Sequence, residues 1–412
     1  MTASAQNVSD PFDIAIVGGG MVGASLAVAL QPLGLRVALI ESVPLQSDAQ
    51  PSFDERTTAL SNGSRRIFTS LGVWDAIAAQ AAPIRRIHVS DQGRFGFARI
   101  DAREEGVSAL GFVVANRVMG AALWGRLANG SGLEIFCPAQ VDEVATDTEG
   151  VELRVTKGDG TVLELTARLL VAADGAQSSI RSGRGIEATT WDYEQTAIVT
   201  NVATRKFHDH VAYERFTPTG PLAILPLADG CCTVVWTLAP AVADSTMQLS
   251  NEEFLHALQE RFGFRLGRFT RVGRRHAYPL ALTRAEERIG RRLVIIGNAA
   301  QGLHPIAGQG FNLGLRDVAT LAEVIAESSA TLGEESMLER YDEWRRTDRR
   351  SVIAFTDGLI RLFNNPLGSV KVARDLGLLL FDVLPPAKSA LAALSLGVTG
   401  RLPRLARGLP LA

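Results

Sequence analysis

Regular patterning starts with Asp13-Ile-Ala-Ile-Val17, a short apolar run of strand type that breaks into glycines and passes into an alanine-rich helical stretch, Ala24 to Leu30. A second strand-type run, Arg36-Val-Ala-Leu-Ile-Glu41, follows Gly34, so the pattern predicts a βαβ unit near the start. Two more buried-type runs end in small polar residues far downstream: Leu169 to Ala173 before Asp174-Gly175, and Leu293 to Ile296 before Gly297-Asn298. They are expected as further strands of the first sheet. Over roughly 185–275 the pattern changes to β-type runs such as Ala197 to Val202 and Cys232 to Trp236, with turn signals at Pro218-Thr-Gly220 and Asp229-Gly230. An inserted, largely antiparallel domain is predicted there. From about Glu334 onward the pattern is helical, with Pro366, Pro385 and Pro386 as breakers. The expected division is 1–72, 102–184 and 276–345 for the first domain, 73–101 and 185–275 for the inserted one, and 346–412 for a C-terminal helical region. No internal repeat or low-complexity segment is visible.

Composition narrows the function classes. With 46% hydrophobic and 21% charged residues over 412 positions, the chain reads as an ordinary globular protein with room for a large bound group. A net charge of −2 gives no reason to expect nucleic acid. The adjacent Cys231 and Cys232, with Cys137, offer neither an unstrained disulfide nor metal-ligand spacing, so they read as core thiols in a reducing compartment. No secretory signal and no run of about 18 apolar residues is seen, so a cytoplasmic location is expected.

Gly18-Gly-Gly20-Met21-Val22-Gly23 fits G-x-G-x-x-G in the required setting, after a strand and at the start of a helix. The first glycine permits the tight turn, the second lets a pyrophosphate approach the backbone, and the third lets the helix pack on the strand. Glu41 closes the second strand 18 residues after Gly23, where a carboxylate accepts from ribose hydroxyls. This is a Rossmann-like dinucleotide site, and the fingerprint alone does not separate NAD from FAD. Gly183-Arg-Gly185 fits a looser version but follows no strand, so it is expected as a loop.

The segments Val171 to Arg181 and Ile295 to Asp317 resemble the second and third flavin motifs of the single-component FAD-dependent aromatic hydroxylases. Phe53 to Leu60, Ile87 to Gly93, Tyr193-Glu-Gln195, Glu214-Arg-Phe-Thr217, Gly220 to Pro226 and Tyr278 to Leu282 look like the ubiquinone-biosynthesis branch of that family. The likeness runs over nearly the whole chain.

The resemblance implies an α/β fold with a Rossmann-like FAD-binding domain, an inserted antiparallel substrate domain and a helical C-terminal region. It implies a monooxygenase that takes electrons from NADPH or NADH and hydroxylates a prenylated phenol with dioxygen through a flavin hydroperoxide. Carried over by position, Gly18, Gly20, Met21, Val22, Gly23, Glu41, Arg56, Arg117, Val141, Asp174, Gly297, Asn298, Gly310, Phe311 and Asn312 hold FAD. Amides of Gly310, Phe311 and Asn312 at a helix start would stabilise the negative charge of reduced flavin, worth about 0.3–2 kcal/mol. Asp174 is expected in a groove shared with the nicotinamide nucleotide. His304, Pro305, Gly308 and Gln309 form the loop facing the flavin ring, with the Pro305 carbonyl as an acceptor for the phenol proton; His304 faces substrate or pins the loop. Tyr213, Arg215, Leu225 and Pro226 are candidate substrate contacts. The family's third motif usually begins Gly-Asp, whereas here it is Gly297-Asn298, which keeps an acceptor but adds no charge.

An oxidase or dehydrogenase on the same scaffold, and a non-catalytic flavoprotein subunit of a membrane complex, remain open as alternatives. The run Arg345 to Arg350 reads as a solvated helix face. Residues 361–412 hold seven basic side chains (Arg361, Lys371, Arg374, Lys388, Arg401, Arg404, Arg407) and two acids, a net of +5, with apolar runs at Leu376 to Phe381 and Ala390 to Leu396. Peripheral docking on the cytoplasmic membrane face is expected from that tail, along with association with other ubiquinone-biosynthesis proteins.

Overall fold

The computed structural model describes residues 6–7, 10–44, 56–128, 130–303, 308–364 and 385–411. The strands Leu133–Phe136, Val37–Ile40, Phe12–Val17, Val162–Ala172 and Leu293–Ile295 lie parallel and in that order. Phe136, Ile40, Val17, Ala172 and Ile295 are in register, so the chain leaves all five strands along one edge. That edge is where open α/β sheets bind ligands. Helices Met21–Leu30, Asn116–Leu127 and Gln309–Ala326 cover one face, burying Leu26, Leu123, Leu315 and Leu321 against Ile14, Ile16 and Leu39. The run expected at Leu169 to Ala173 is the end of an 11-residue strand, Val162–Ala172, whose first half pairs antiparallel with Val151–Lys157.

The second sheet has nine strands among the described residues. Its spine is the 17-residue strand Ala188–Thr204, antiparallel to His276–Ala285 and Cys232–Leu238. Beyond these lie Gly220–Pro226, Val211–Thr217 and the hairpin Arg86–Asp91 and Phe97–Asp101. Helices Pro240–Gln248 and Asn251–Phe262 close one face over Ile198, Ile224, Trp236 and Phe254. The other face turns toward the first domain. A small sheet of Thr57–Ser61, Gly111–Ala115 and Ala82–Ile84 lies between the two. Cys232 is buried, and burial pushes its thiol up to about 12; no disulfide joins the three cysteines.

The C-terminal region corrects two readings. Arg345 and Arg349, expected on a solvated face, are buried at 4% and 2% exposure, while Arg346 and Arg350 point outward. Positions four apart share one helix face, and inside the 30-residue helix Glu335–Asn364 that face meets acids. Arg345 Nε donates to Asp317 at 2.7 Å, Arg316 reaches Asp348 at 2.9 Å, and Arg345 and Arg349 also pair with Asp348 and Asp342. Pro385 stands at the start of a helix, Pro385–Leu396, since proline fits a first turn where no N–H partner is needed. The run Ala390 to Leu396 is not a free apolar face: Ala392 and Leu396 pack with Ile84, Leu110 and Val113. Leu376 to Phe381 lies outside the described residues.

Candidate functional site

The first glycines are dictated by contact. Gly18 has φ +102, and a Cβ there would lie 2.4 Å from the Ala173 carbonyl oxygen. A Cβ on Gly23 would lie 1.9 Å from the Gly18 oxygen. Gly20 is extended and caps helix Met21–Leu30, which has no side-chain cap and no acid in its first turn, so its leading N–H groups stay available to an anion. Met21 opens that helix. Val22 fills the gap to the third motif, where Cβ atoms on Gly297 or Gly314 would each come within 3.1 Å of its methyls. Glu41 is buried; its Oε2 accepts from the Gly19 N–H at 2.6 Å and its Oε1 from the Val43 N–H at 2.7 Å. Two of the roughly four acceptor positions of a carboxylate are thus used to fix the turn, and the rest remain for a diol. Trp124 closes the same corner by donating to the Gly19 carbonyl at 3.2 Å.

The second and third motifs meet the first at the sheet edge. Asp174 Oδ2 accepts from the Ile180 N–H at 3.2 Å, while Oδ1 is buried with no hydrogen-bond partner among the described residues. Arg181, buried at the end of the second motif, donates to the Ala299 carbonyl at 2.8 Å and the Ala176 carbonyl at 3.0 Å. It clamps the two motifs together, a role that sequence reasoning missed although Arg181 closes the quoted motif. Gly297 has φ +61 and starts a short turn that leaves the Asn298 side chain exposed at the edge. His304 and Pro305 lie outside the described residues.

Gly308, in the left-handed region at φ +61, caps helix Gln309–Ala326, again without a side-chain cap or a first-turn acid. Gln309 is buried there, and Gly310 and Phe311 are half-buried at the helix start. Asn312 does more than supply an amide. Its Oδ1 accepts from the Ser61 N–H at 2.8 Å and Ser64 Oγ at 2.6 Å, and its Nδ2 donates to the Ala59 and Gly308 carbonyls at 2.9 and 2.6 Å. All its polar capacity is spent locking the helix start to the small sheet.

Arg56 and Arg117 are brought together: the Asn116 N–H donates to the Arg56 carbonyl at 2.7 Å, placing Arg117, exposed, in the first turn of its helix beside it. The Arg56 guanidinium lies 5.2 Å over the Tyr278 ring. Val141 is buried, with its side chain in the core between Val155 and Ala139, so only its backbone can serve a ligand.

Strand alternation sorts the candidate substrate contacts. Tyr213 packs edge-on against Phe262 at 5.3 Å, and its register partner Ile224 lies in the same helix-covered core. Arg215 pairs with Leu222 of that core, and its charge is disfavoured first by burial and then by Arg265. Pro226 pairs with Cys232 on the same side. Of the four, only Leu225 turns to the face shared with the first domain, where it packs with Ala59, Ala212 and Leu391. Glu214, between Tyr213 and Arg215, also faces that side; period-two reading of Ala212, Glu214 and Phe216 was the signal that could have found it. Burial alone raises the Glu214 carboxyl to about 7.

Comparison with known proteins bears on this edge directly. Residues 11–356 match a family model described as an FAD binding domain. Ubiquinone hydroxylase UbiL of Rhodospirillum rubrum is 37% identical over the whole of this chain and 95% of its own. The 3-demethoxyubiquinol 3-hydroxylase of Escherichia coli is 32% identical over 90% of this chain and 95% of its own. This chain belongs to the FAD-dependent ubiquinone-biosynthesis hydroxylases. The fold is shared more widely: p-nitrophenol 4-monooxygenase PnpA of Pseudomonas putida superposes with a TM-score of 0.79 at 20% identity over 95% of this chain and 99% of that one.

The hydroxylase's own residues fit FAD. Gly18 and Gly23 make a turn that a Cβ would fill, helices Met21–Leu30 and Gln309–Ala326 start without side-chain caps, and one Asp174 oxygen is buried without a partner among the described residues. Electrons come from a reduced nicotinamide. Among the described residues no His, Cys, Asp or Glu group could hold a metal, and no helix is long and apolar enough to cross a membrane.

Proposed function

We propose that this enzyme hydroxylates a polyprenylated phenol of ubiquinone biosynthesis, of the 2-polyprenyl-6-methoxyphenol type. The observation that carries this is a substrate-side sheet face of apolar side chains, Ala212, Phe216 and Leu225, set against the first domain and covered by C-terminal helices. Bound FAD supplies the two-electron chemistry and the activation of dioxygen. The chain's part is to bind, orient and exclude water. Gly18, Gly20 and Gly23 with the first helix start hold the pyrophosphate, and Glu41 the adenosine ribose. Arg56, Arg117, Gly297 and Asn298 line the ribityl and phosphate stretch, and the amides of Gly310, Phe311 and Asn312 face the pyrimidine. His304, Pro305, Gly308 and Gln309 serve the flavin ring and the phenol, Gly308 and Gln309 from the start of that helix, and Asp174 meets the nicotinamide. Helices Glu335–Asn364 and Pro385–Leu396 act as a cap over the substrate face.

Membrane contact belongs to the same proposal, because a polyprenyl tail is too apolar for water. Much of the tail's charge has partners: Arg361 pairs with Asp357 at 2.8 Å, Lys388 with Glu104 at 3.1 Å, and Arg401 lies 3.7 Å over Trp344. Docking is therefore weak and reversible, with association with other ubiquinone-biosynthesis proteins adding to it. The test is NADPH oxidation with and without a prenylated phenol, with hydroxylated product quantified. Stoichiometric product supports the reading; NADPH consumption with peroxide alone, on every prenylated phenol tried, overturns it.

A further inference from the structure

We propose that the Glu214 carboxylate meets the hydroxyl of the bound phenol on the sheet face shared with the first domain and takes its proton as the ring is hydroxylated. The inference rests on the phenol reading given above and adds a residue to it.

Position comes first. Glu214 pairs in register with Val89 on one side and Ala223 on the other, and Ala212 and Phe216 flank it along its own strand. Every nearest neighbour on that face is apolar. Phe216 packs with Leu359 and Phe363 from helix Glu335–Asn364, and Ala212 with Ala392 and Leu396 from helix Pro385–Leu396, so the face is roofed rather than open. The same sheet face carries Tyr278, on which Arg56 lies. Closer to Glu214, Ala212 belongs to one cluster with Ala59, whose carbonyl accepts from Asn312 in the third flavin motif.

The carboxyl is also available. It makes no hydrogen bond or ion pair among the described residues, yet it is only half-buried rather than sealed off. An enclosed carboxyl with accessible oxygens and no protein partner is suited to a ligand's hydroxyl. Charged and titratable groups on the elements around it are few: Asp91 on the neighbouring strand, Tyr193 on the spine strand, Asp357 and Arg361 on the long helix, and Lys388, held by Glu104, on the last helix. The Glu214 carboxyl is raised by burial alone, with no neighbouring charge sharing in the effect. A group poised near neutrality is matched to proton transfer at the pH of the cell.

The step balances. The phenol O–H bond breaks, the pair stays on oxygen, and a carboxyl O–H forms. The phenolate raises electron density on the ring as one oxygen atom of dioxygen is transferred; the other leaves as water, the reduced nicotinamide supplying the electrons. As the ring regains aromaticity its C–H proton is lost to solvent and the proton on Glu214 returns to the phenol oxygen, while the reduced nicotinamide's hydride and one net proton from solvent complete the water.

The experiment uses the FAD-loaded full chain, with Glu214→Gln and Glu214→Asp beside the unaltered enzyme. Product formation is followed from pH 5 to pH 9, and phenol binding from the perturbation of the flavin visible spectrum. In the unaltered enzyme kcat/KM is expected to rise through about pH 7, where Glu214 ionises. Glu214→Gln should lower kcat on the order of 100-fold, lose that acidic limb, and bind the phenol with little change, because the amide keeps the shape. Glu214→Asp should restore part of the rate and the limb together. Retention of the unaltered rate and pH profile by Glu214→Gln overturns the proposal. A matching loss in FAD content or phenol binding by both variants also overturns it, marking Glu214 as structural. Failure of the unaltered enzyme to hydroxylate any prenylated phenol overturns the functional reading itself, which is read before the variants are compared.

Discussion

The two large sheets solve different problems with different materials. The parallel sheet binds through backbone: glycines at Gly18, Gly23 and Gly297 bring main chain and cofactor close, and helix starts at Gly20 and Gly308 present N–H groups. The antiparallel sheet binds through alternation, one face filled by helices Pro240–Gln248 and Asn251–Phe262 and the other given to the first domain. Backbone sites tolerate almost no change at their glycines. A side-chain face tolerates change wherever the residue points the other way.

The largest effects are therefore expected at the glycines, and two of them should behave differently. Gly18→Val forces a β-branched residue into φ +102 with its Cβ 2.4 Å from the Ala173 carbonyl oxygen, so FAD binding and stability should both fall, the latter by on the order of 3 kcal/mol or more. Gly20 is extended at φ −60 and ψ 176, which any residue adopts. Gly20→Val should abolish FAD binding by blocking the pyrophosphate, while the apoprotein melts close to the unaltered apoprotein. Flavin content after desalting and thermal unfolding of both apoproteins check this. Full FAD occupancy in Gly20→Val would remove that glycine from the pyrophosphate site.

A comparable loss without direct contact to the cofactor is expected at Asp317, which ends the third flavin motif. Its Oδ1 accepts from buried Arg345 at 2.7 Å and its Oδ2 from Gln301 at 3.3 Å. Asp317→Ala leaves Arg345 with Asp348 as its one remaining carboxylate among the described residues, in a site almost without water, and breaking such a pair costs about 3–5 kcal/mol. Denaturant unfolding measures it. Adding Arg345→Met should recover much of the loss, since an apolar pair of similar volume removes the stranded charge.

What was legible follows the same divide. Gly18 to Gly23 and Glu41 could be read because a backbone site confines its requirements to a few adjacent positions, and the parallel strands announced themselves as apolar runs. Arg345 and Arg349 could not: a run of arginines on a helix looks solvated until Asp317 is known to lie on the opposing helix, with Asp348 and Asp342 of the arginines' own helix completing the pairs. Tyr213 and Arg215 drew notice as chemical side chains, yet the residue between them points to the first domain. Alternation tells which residues share a face but not which face is turned inward, and that depends on helices about 30 residues further along the chain.

Stability against pH gives a smaller effect that tests the face assignment without catalysis. Glu214 is raised to about 7 in the folded chain from an ordinary 4.5. The folded state thus holds a proton that the unfolded chain releases, so stability is unaffected by this group below about pH 4.5 and falls as pH rises toward and through 7. At about 1.4 kcal/mol per unit the loss has a ceiling of about 3 kcal/mol, lowered by whatever water reaches the carboxyl. Glu214→Gln should accordingly be more stable than the unaltered chain at pH 8 and no more stable at pH 4.5. Parallel stability profiles for the two would put Glu214 in contact with solvent and off the roofed face.

The smallest effect is predicted at Tyr213, and its smallness is the point. The ring meets Phe262 at 5.3 Å and His88 at 5.8 Å on the helix-covered side, and burial raises its hydroxyl above the ordinary tyrosine range. A phenol held there in neutral form neither donates to nor takes a proton from a substrate on the opposite face of the sheet, since the strand itself stands between them. Tyr213→Phe keeps the ring and its packing and removes one hydroxyl, a change worth about 1 kcal/mol or less in stability. Turnover of a prenylated phenol by Tyr213→Phe should stay within about twofold of the unaltered enzyme, since removing a hydroxyl that touches no reacting atom takes nothing from the transition state. Steady-state kinetics across pH 6 to 9 read this directly. A loss of tenfold or more in kcat with normal FAD content would mean that the residue reaches the substrate, and would reverse the assignment of the two faces from which Glu214 takes its role.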